Sequence, residues 1–118
     1  MTTDGSVDRD GHVLGYCRLN DITIQTWSPF QYGFFEGVYI GNEKYPELNR
    51  CLSEIAERYD TEPTAIAAAW ILRHPANMQL ISWTTSPERL SLICRAADIV
   101  LTRQEWYQLY LAAGHMLP

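Results

Sequence analysis

Hydrophobic positions recur at helical spacing in the middle of the chain. They are Leu48, Leu52, Ile55 and Tyr59. This spacing of three or four residues predicts a helix that begins near Pro46 and buries one face. A second helix is expected from Pro63, which suits a first helical turn, to His74, because the residue before Pro75 avoids the helical region.

Two short runs rich in β-branched and other apolar residues predict strands at about 22–27 and 79–82. About fifty residues of mostly helical pattern separate them, and strands connected in this way are normally parallel. Two parallel strands make a poor sheet, since three or more are usually needed for independent stability. The pattern therefore predicts that a partner sheet is missing.

Two further helices are expected after the second strand, which brings the total to about four. Ser86 and Pro87 are suited to the N-cap and first position of one helix. An apolar face is expected on it at Leu90, Ile93, Cys94 and Ala97. Thr102 and Glu105 match a capping box, and Gly114 ends the helix that follows. A segment at 13–20 is compatible with one or two helical turns.

The segment from Phe30 to Asn42 contains three glycines and five aromatic residues. Glycine at this density disfavours a helix. Aromatic side chains at this density disfavour free exposure, so the segment is expected to be a packed functional loop.

Composition excludes several classes of protein. The chain has 118 residues, is 47% hydrophobic and carries a net charge of -5, which fits one folded domain and not a disordered chain. The acidic balance argues against nucleic-acid binding, and no apolar run is long enough to span a membrane. Residues 1–12 lack the pattern of a signal peptide and are expected to form a loop. Cys17, Cys51 and Cys94 have neither disulfide nor metal-ligand spacing, as expected of reduced thiols in a cytoplasmic protein.

The segment after the second predicted strand has the composition of an anion site. Thr84 and Ser86 supply hydroxyl groups ahead of a helix N-terminus, where backbone N–H groups and a partial positive charge favour anions. Arg89 adds a guanidinium on the first turn, and this group suits a phosphate. The alternative is an ordinary capped helix with a surface arginine.

A second candidate site lies where the first predicted strand becomes a loop. Trp27 has a ring that can stack on a planar group such as a nicotinamide, and Ser28 and Gln31 have polar groups for a pyrophosphate. The alternative is a tryptophan that belongs to the core. In a (β/α)8 barrel the two candidates share one face, because ligands bind at the C-terminal ends of the strands.

Longer strings match those of a known family. The matching segments are 16–20, 24–37, 46–49, 65–75, 101–107 and 112–114. These strings are long and specific, and they include Thr26-Trp27-Ser28-Pro29-Phe30-Gln31. On these strings the chain resembles the C-terminal third of an aldo/keto reductase, in particular the bacterial YdhF-like branch, from about residue 8 to residue 118.

The resemblance implies an α/β fold class: residues 1–118 would be a C-terminal fragment of a TIM (β/α)8 barrel that holds its last two βα units. It implies that the family's reaction, the reduction of a small-molecule carbonyl with NADPH, is the function to expect. The implied cofactor-binding residues are Trp27 at the nicotinamide, Ser28, Phe30 and Gln31 along the pyrophosphate, and Thr84, Ser86 and Arg89 at the adenosine 2′-phosphate.

The chain departs from the family pattern at two places. Trp83 stands where the family commonly has glycine or lysine, and Leu92 and Ile93 stand where many members have Glu-Asn near the adenine. The family's catalytic tyrosine, lysine, aspartate and histidine match no segment here, and a tuned tyrosine is what donates the proton. No catalytic residue is therefore assigned, and the chain by itself is expected to be inactive.

Two other hypotheses remain. The chain is a non-enzymatic remnant or interaction module that self-associates, or pairs with another chain, through open barrel edges. Alternatively, Met1 is an internal methionine of a longer gene whose upstream part encodes the catalytic half.

Overall fold

The computed structural model describes residues 12–32 and 36–117. Within them, five α-helices and two strands follow one another in the order α1, β1, α2, α3, β2, α4, α5. Their bounds are α1 His12–Leu19, β1 Ile24–Thr26, α2 Pro46–Arg58, α3 Pro63–Leu72, β2 Met78–Leu80, α4 Pro87–Arg95 and α5 Arg103–Ala112, with a 3₁₀ turn at Ala96–Asp98. The strands are parallel, as predicted, and α2 and α3 form the crossover between them.

The first strand is shorter than the predicted range of 22–27. The amide of Ile22 donates to the carbonyl of Cys17 at 2.9 Å, which closes the end of α1 and keeps this residue out of the sheet. Ser28 has a φ of 48°, so the backbone leaves the extended region directly after Trp27. The prediction was wrong at both ends because local hydrogen bonds and a turn compete with strand pairing.

The second strand lies one to two residues earlier than the predicted range of 79–82. The carbonyl of Asn77 accepts from the Ile24 amide at 2.8 Å, so pairing already begins beside Met78. The strand ends after Leu80, where the Ile81 amide makes a last bond to the Thr26 carbonyl at 3.2 Å, because β1 itself ends at Thr26. The paired residues are Ile24 with Met78, Gln25 with Gln79, and Thr26 with Leu80.

The N-terminal prediction is confirmed in part. A helix occupies 12–19, where one or two turns were expected. His12 already belongs to this helix, so the predicted loop over 1–12 extends one residue too far, and its remainder lies outside the described residues. None of the residues of α1 is buried.

The core lies between the helices α2, α3 and α5. Every residue from Ala65 to Ala69 in α3 is buried, so this helix packs on all sides, as its small side chains allow. The largest fully buried side chains are Leu52, Ile55, Ile66, Leu101 and Leu109.

Helix α4 packs less deeply than its pattern predicted. Ile93 is buried, as expected, whereas Leu90, Cys94 and Ala97 are exposed. The second buried contact of this segment is Ala96, three residues after Ile93, because the backbone tightens into a 3₁₀ turn where i and i+3 align.

The start of α5 confirms the predicted capping box. The Thr102 hydroxyl accepts from the Glu105 amide at 3.2 Å, and the Glu105 carboxylate accepts from the Thr102 amide at 2.9 Å. The same carboxylate accepts from the Tyr59 hydroxyl at 2.8 Å and pairs with Arg58 at 3.2 Å. This buried acid therefore joins α5 to the end of α2. Gly114, with a φ of 87°, lies just past the helix end, as predicted.

Candidate functional site

The two loops that leave the sheet meet in one cavity of about 270 Å³. The chain bends out of β1 at Ser28 and out of β2 after Leu80, and because the strands are parallel both loops start at the same end of the sheet. Five of the seven predicted cofactor residues line this cavity: Ser28, Phe30, Gln31, Thr84 and Arg89. Trp27 and Ser86 do not.

The first loop folds back on itself as a narrow turn. Gln31 pairs with Val38 in an antiparallel bridge, and the amide of Tyr39 donates to the carbonyl of Phe30 at 3.0 Å. Tyr32 and Tyr39 are buried, as expected of a packed loop. Residues 33–35, which the prediction also covered, lie outside the described residues.

Asn49 fastens this loop to α2. Its Nδ2 lies within hydrogen-bond distance of the carbonyls of Tyr39, at 2.8 Å, Asn42, at 3.1 Å, and Tyr45, at 2.9 Å. Its Oδ1 accepts from the Gly41 amide at 2.6 Å. One amide side chain, with two N–H donors and one acceptor, thus contacts four backbone groups of the segment that follows Val38, and it holds that wall of the cavity in place.

The second loop enters α4 through the predicted cap. The Ser86 hydroxyl accepts from the Arg89 amide at 3.2 Å and donates to the Glu88 carboxylate at 2.8 Å. Hydrogen bonds from its own amide and from Ser86 lower the pKa of Glu88. Pro87 has no N–H, and the amides of Glu88 and Arg89 already donate to the Glu88 carboxylate and the Ser86 hydroxyl. The backbone N–H groups of this first turn are therefore not free for an anion.

Arg89 and Thr84 therefore carry the anion-binding capacity of this wall. The Thr84 hydroxyl accepts from the Ser86 amide at 3.2 Å, which leaves its own proton available. Among residues 12–32 and 36–117, the Arg89 guanidinium forms no ion pair. The cavity thus presents one uncompensated positive charge and a hydroxyl donor, which fits a phosphate group.

Sequence reasoning missed part of the lining. Thr64, at the start of α3, and the apolar pair Val38 and Ile40 also face the cavity. The N-terminus of α3 has no side-chain cap, so a second helix end borders the site. The signal was present, since Pro63 marks a helix start in the same way as Pro87, and Val38 and Ile40 alternate in the loop.

The two tryptophans near the site differ in position. Trp83 lines the cavity and is 86% exposed, so its indole forms an outer wall. Trp27 is 62% exposed and lies on the open side of the sheet with Gln25, since successive strand residues alternate between faces. A core role for Trp27 is therefore wrong, and its contact with a nicotinamide stays a prediction.

The positions that the resemblance places near an adenine are apolar. Ile93 is buried in the core beneath the cavity, and Leu92, beside it, is half-buried. Neither side chain can form a hydrogen bond to a base. The lining thus offers polar contacts at Thr84 and Arg89 and only apolar contact at Ile93.

The described part of the chain gives no support for a reactive thiol, a metal site or a membrane-spanning helix. The three cysteines are free thiols, and burial raises the pKa of Cys51, which keeps it protonated. No cluster of potential metal ligands occurs among residues 12–32 and 36–117. None of the helices described is long and apolar enough to cross a membrane.

Comparison with known proteins agrees with this geometry. The model of the aldo/keto reductase family matches residues 7–111, which is most of the chain. The chain therefore belongs to the aldo/keto reductase family. No solved structure matches it.

Two relatives carry the same name. The chain is 32% identical, over 96% of its length and 35% of the relative's, to a 6-dehydroglucose reductase of Agrobacterium fabrum. It is 26% identical, over 89% of its length and 34% of the relative's, to a 6-dehydroglucose reductase of Novosphingobium aromaticivorans. The chain thus spans about a third of the length of these relatives.

Proposed function

We propose that the chain forms the phosphate-binding part of an NADPH-dependent aldo/keto reductase and corresponds to the C-terminal third of its (β/α)8 barrel. In this assignment β1 and β2 are the last two barrel strands. The observation that carries the proposal is the single cavity at their ends, which collects Ser28, Gln31, Thr84 and Arg89 from two separate loops. Phosphate is often held after the last two strands of such barrels.

In this role the residues of the two loops contact different parts of NADPH. The Arg89 guanidinium holds the 2′-phosphate, with the Thr84 hydroxyl as a neighbouring donor, and Ser28 and Gln31 follow the pyrophosphate. Ser86 acts indirectly, because its hydroxyl caps α4 and so fixes the backbone of Arg89. When bound, NADPH supplies the hydride that reduces a carbonyl to an alcohol.

The binding test compares NADPH with NADH on the purified chain by isothermal titration. We expect NADPH to bind about tenfold more tightly, as one charge-assisted contact provides. Arg89→Gln is expected to remove the difference, whereas Arg50→Gln, on the surface of α2, should keep it. Equal affinity of the unaltered chain for the two cofactors would overturn the proposal, as would no binding at all.

The chain by itself is proposed to be inactive, because none of its segments matches the family's catalytic tyrosine, lysine, aspartate and histidine. The measurement is NADPH oxidation with a reactive aldehyde. Turnover above the enzyme-free rate by the pure chain contradicts this part of the proposal.

The substrate proposed for the reaction is the carbonyl of an oxidised sugar, after the names of the two relatives. A chimera tests it, in which this chain replaces the segment that it matches in the Agrobacterium fabrum protein. The chimera is expected to reduce 6-dehydroglucose with NADPH and to lose affinity for NADPH on Arg89→Gln. A folded chimera that binds NADPH but reduces no such sugar contradicts it. The YdhF-like branch stays a prediction.

One observation favours a second function, that of an interaction module. The sheet has two strands, and its open face exposes Trp27, Ile81 and Gln79. Unpaired strand edges and exposed apolar groups favour association with a second chain. Sedimentation velocity decides: a dimer or larger species supports this function, and a compact monomer at all concentrations contradicts it.

A further inference from the structure

A second cleft lies at the other end of α3. Its volume is about 340 Å³, and its lining residues are Arg73, His74, Pro75, Arg103, Trp106 and Tyr107. Arg73 is the C-cap of α3, whereas Thr64, which faces the candidate cofactor cavity, lies in the first turn of the same helix. Nine helical steps of 1.5 Å, from residue 64 to residue 73, separate them by roughly 14 Å. The two cavities share no lining residue.

The cleft collects positive charge in an acidic chain. The Nε of Arg73 donates to the carbonyl of Leu101 at 2.9 Å, which brings its guanidinium to the segment that leads into Arg103. Among the described residues, neither arginine forms an ion pair with a carboxylate. Arg103 is also the first residue of α5, where the positive end of the helix dipole disfavours a cation. An anion in the cleft would offset the unpaired charges of both arginines, and with them the repulsion between Arg103 and the helix dipole.

The histidine adds a polar group without charge. Burial and the nearby charge of Arg18 lower the pKa of His74, so its ring is neutral at pH 7. Its Nδ1 accepts from the Ala76 amide at 3.1 Å, which leaves the ring proton on Nε2. The charge of the cleft therefore comes from the two arginines.

Aromatic rings form the other wall, and they are held rigidly. The Trp106 ring stacks on that of Trp70 at 4.7 Å, and each indole N–H donates to the other residue's carbonyl at 3.0 Å. The Tyr107 ring meets Trp106 edge to face at 5.2 Å, and the Arg103 guanidinium lies 5.7 Å from the Tyr107 ring centre. The Trp106 ring is also stacked with that of Tyr110 at 5.7 Å, so an apolar body contacts only the part of Trp106 and Tyr107 that lines the cleft, at little cost in side-chain entropy.

We propose that this cleft binds a phosphate monoester of a small aromatic or apolar molecule. The phosphate lies between the guanidiniums of Arg73 and Arg103, and the organic body lies against Trp106 and Tyr107. Two guanidiniums match the several oxygens and the double charge of a phosphate better than a carboxylate. The site is separate from the proposed cofactor cavity and does not depend on it.

The test is a titration of the ¹⁵N-labelled 118-residue chain with phenyl phosphate, followed by NMR. The indole N–H of Trp106 and the amide of Tyr107 report on this cleft, and the indole N–H of Trp83 reports on the other cavity. We expect saturable shifts of the first two signals. Inorganic phosphate and phenol, which each carry half of the probe, should bind at least about fivefold more weakly, since each lacks one set of contacts.

Substitutions of the two arginines test which side chains contact phenyl phosphate. Arg103→Gln is expected to weaken phenyl phosphate binding about tenfold, and Arg73→Lys, which keeps the charge but loses the planar fork, should weaken it less. Arg89→Gln, in the other cavity, is the control and should leave the Trp106 shift unchanged. Thermal unfolding checks that each variant folds, and Arg103→Lys replaces Arg103→Gln if the latter does not.

Three results would overturn the proposal. The first is the absence of a saturable shift at Trp106 and Tyr107. The second is unchanged affinity in a folded Arg103 variant. The third is inorganic phosphate binding as tightly as phenyl phosphate, which would assign the cleft to a bare anion. None of these results bears on NADPH, whose binding is read from Trp83 and Arg89.

Discussion

The helical layer and the sheet of this chain are packed to very different degrees. In α2 and α3 the apolar side chains are enclosed, with Leu52 1% exposed and Ile66 fully buried. The sheet half-buries one face against the helices and leaves the other open, with Gln25 and Gln79 paired at 3.2 Å on the exposed side. Helix α1 is open too, and Leu19 is 84% exposed.

This difference in packing separates the helical layer, which stabilises the chain, from the sheet face and α1, whose exposed side chains suit contact with further structure. The helices, together with Leu101 and the loop residues Tyr32 and Tyr39, complete a core, so the stability resides there. The open sheet face and α1 contribute little burial, and their apolar residues suit contact with further structure. The candidate cofactor cavity lies between the two regions, and its shape depends on loops that the helical layer holds.

The largest expected effect tests the packed region directly. Leu52→Ala removes a buried side chain and leaves a void, which costs about 2–5 kcal/mol of the free energy of unfolding. Leu19→Ala is the matched control, because the same change at an exposed position costs within about 0.5 kcal/mol. Urea denaturation measures both. Similar losses at the two positions would remove the contrast between the regions.

The next largest effect concerns the Glu105 carboxylate, whose hydrogen bond to Tyr59 and ion pair with Arg58 join α5 to α2. Glu105→Gln weakens the hydrogen bonds from Thr102 and Tyr59 and removes the pairing with Arg58, which should cost about 1.5–3 kcal/mol. Glu47→Gln, on the exposed surface of α2, is the control. Equal unfolding midpoints for the two variants would show that the buried carboxylate contributes nothing specific.

The same carboxylate predicts a dependence on pH. Burial acts to raise the pKa of Glu105, but hydrogen bonds from Thr102 and Tyr59 and the charge of Arg58 outweigh it, so the pKa lies below its ordinary value of 4.5. A lowered folded-state pKa gives stability that is complete above the unfolded value and is lost as the pH falls through the folded value. The difference between wild type and Glu105→Gln should therefore shrink below about pH 4.5.

A smaller effect is expected at the wall of the cavity. Asn49→Asp keeps the acceptor for the Gly41 amide but places a negative charge against three carbonyl oxygens, which should cost about 1–2 kcal/mol. Amide exchange should quicken at Gly41 and Asn42 and not within α3. Asn20→Asp, at the exposed turn just after α1, is the control. Unchanged exchange in the loop would mean that Asn49 does not hold it.

The smallest effect tests the open face. Ile81→Lys should change the free energy of unfolding by no more than about 0.5 kcal/mol, because the side chain is already partly exposed. Sedimentation velocity adds a second readout, since a chain that associates through this face should become monomeric. A large loss of stability in a monomer would show that the face is packed.

Local rules explain why much of the fold was predictable from the sequence. Helix starts at Pro46, Pro63 and Pro87 and the box at Thr102 depend on neighbouring residues alone, so pattern and capping chemistry found them. Strand ends depend on a partner and on turns such as that at Ser28, which single-chain patterns do not encode.

The site was predictable to the same extent. Gln31 and Arg89, which line the cavity, were predicted from their chemistry beside a strand end and a helix start, and the resemblance added Phe30. Thr64 and Val38 were missed because their local signals, a helix start and an alternating loop, do not say which cavity they face, and tertiary packing decides that. The engagement of the Ser86 hydroxyl with Glu88 could not be read from composition, because the same residues are equally compatible with an open anion site.

The central claim is that the cavity at the ends of β1 and β2 holds the phosphate end of NADPH. Its most direct test is to map the amide signals of the ¹⁵N-labelled chain that shift when NADPH is added. The predicted result is saturable shifts at Ser28, Gln31, Thr84 and Arg89, with Trp106 and Tyr107 unchanged at saturation. Shifts confined to other parts of the chain, or none at these four residues, would contradict it.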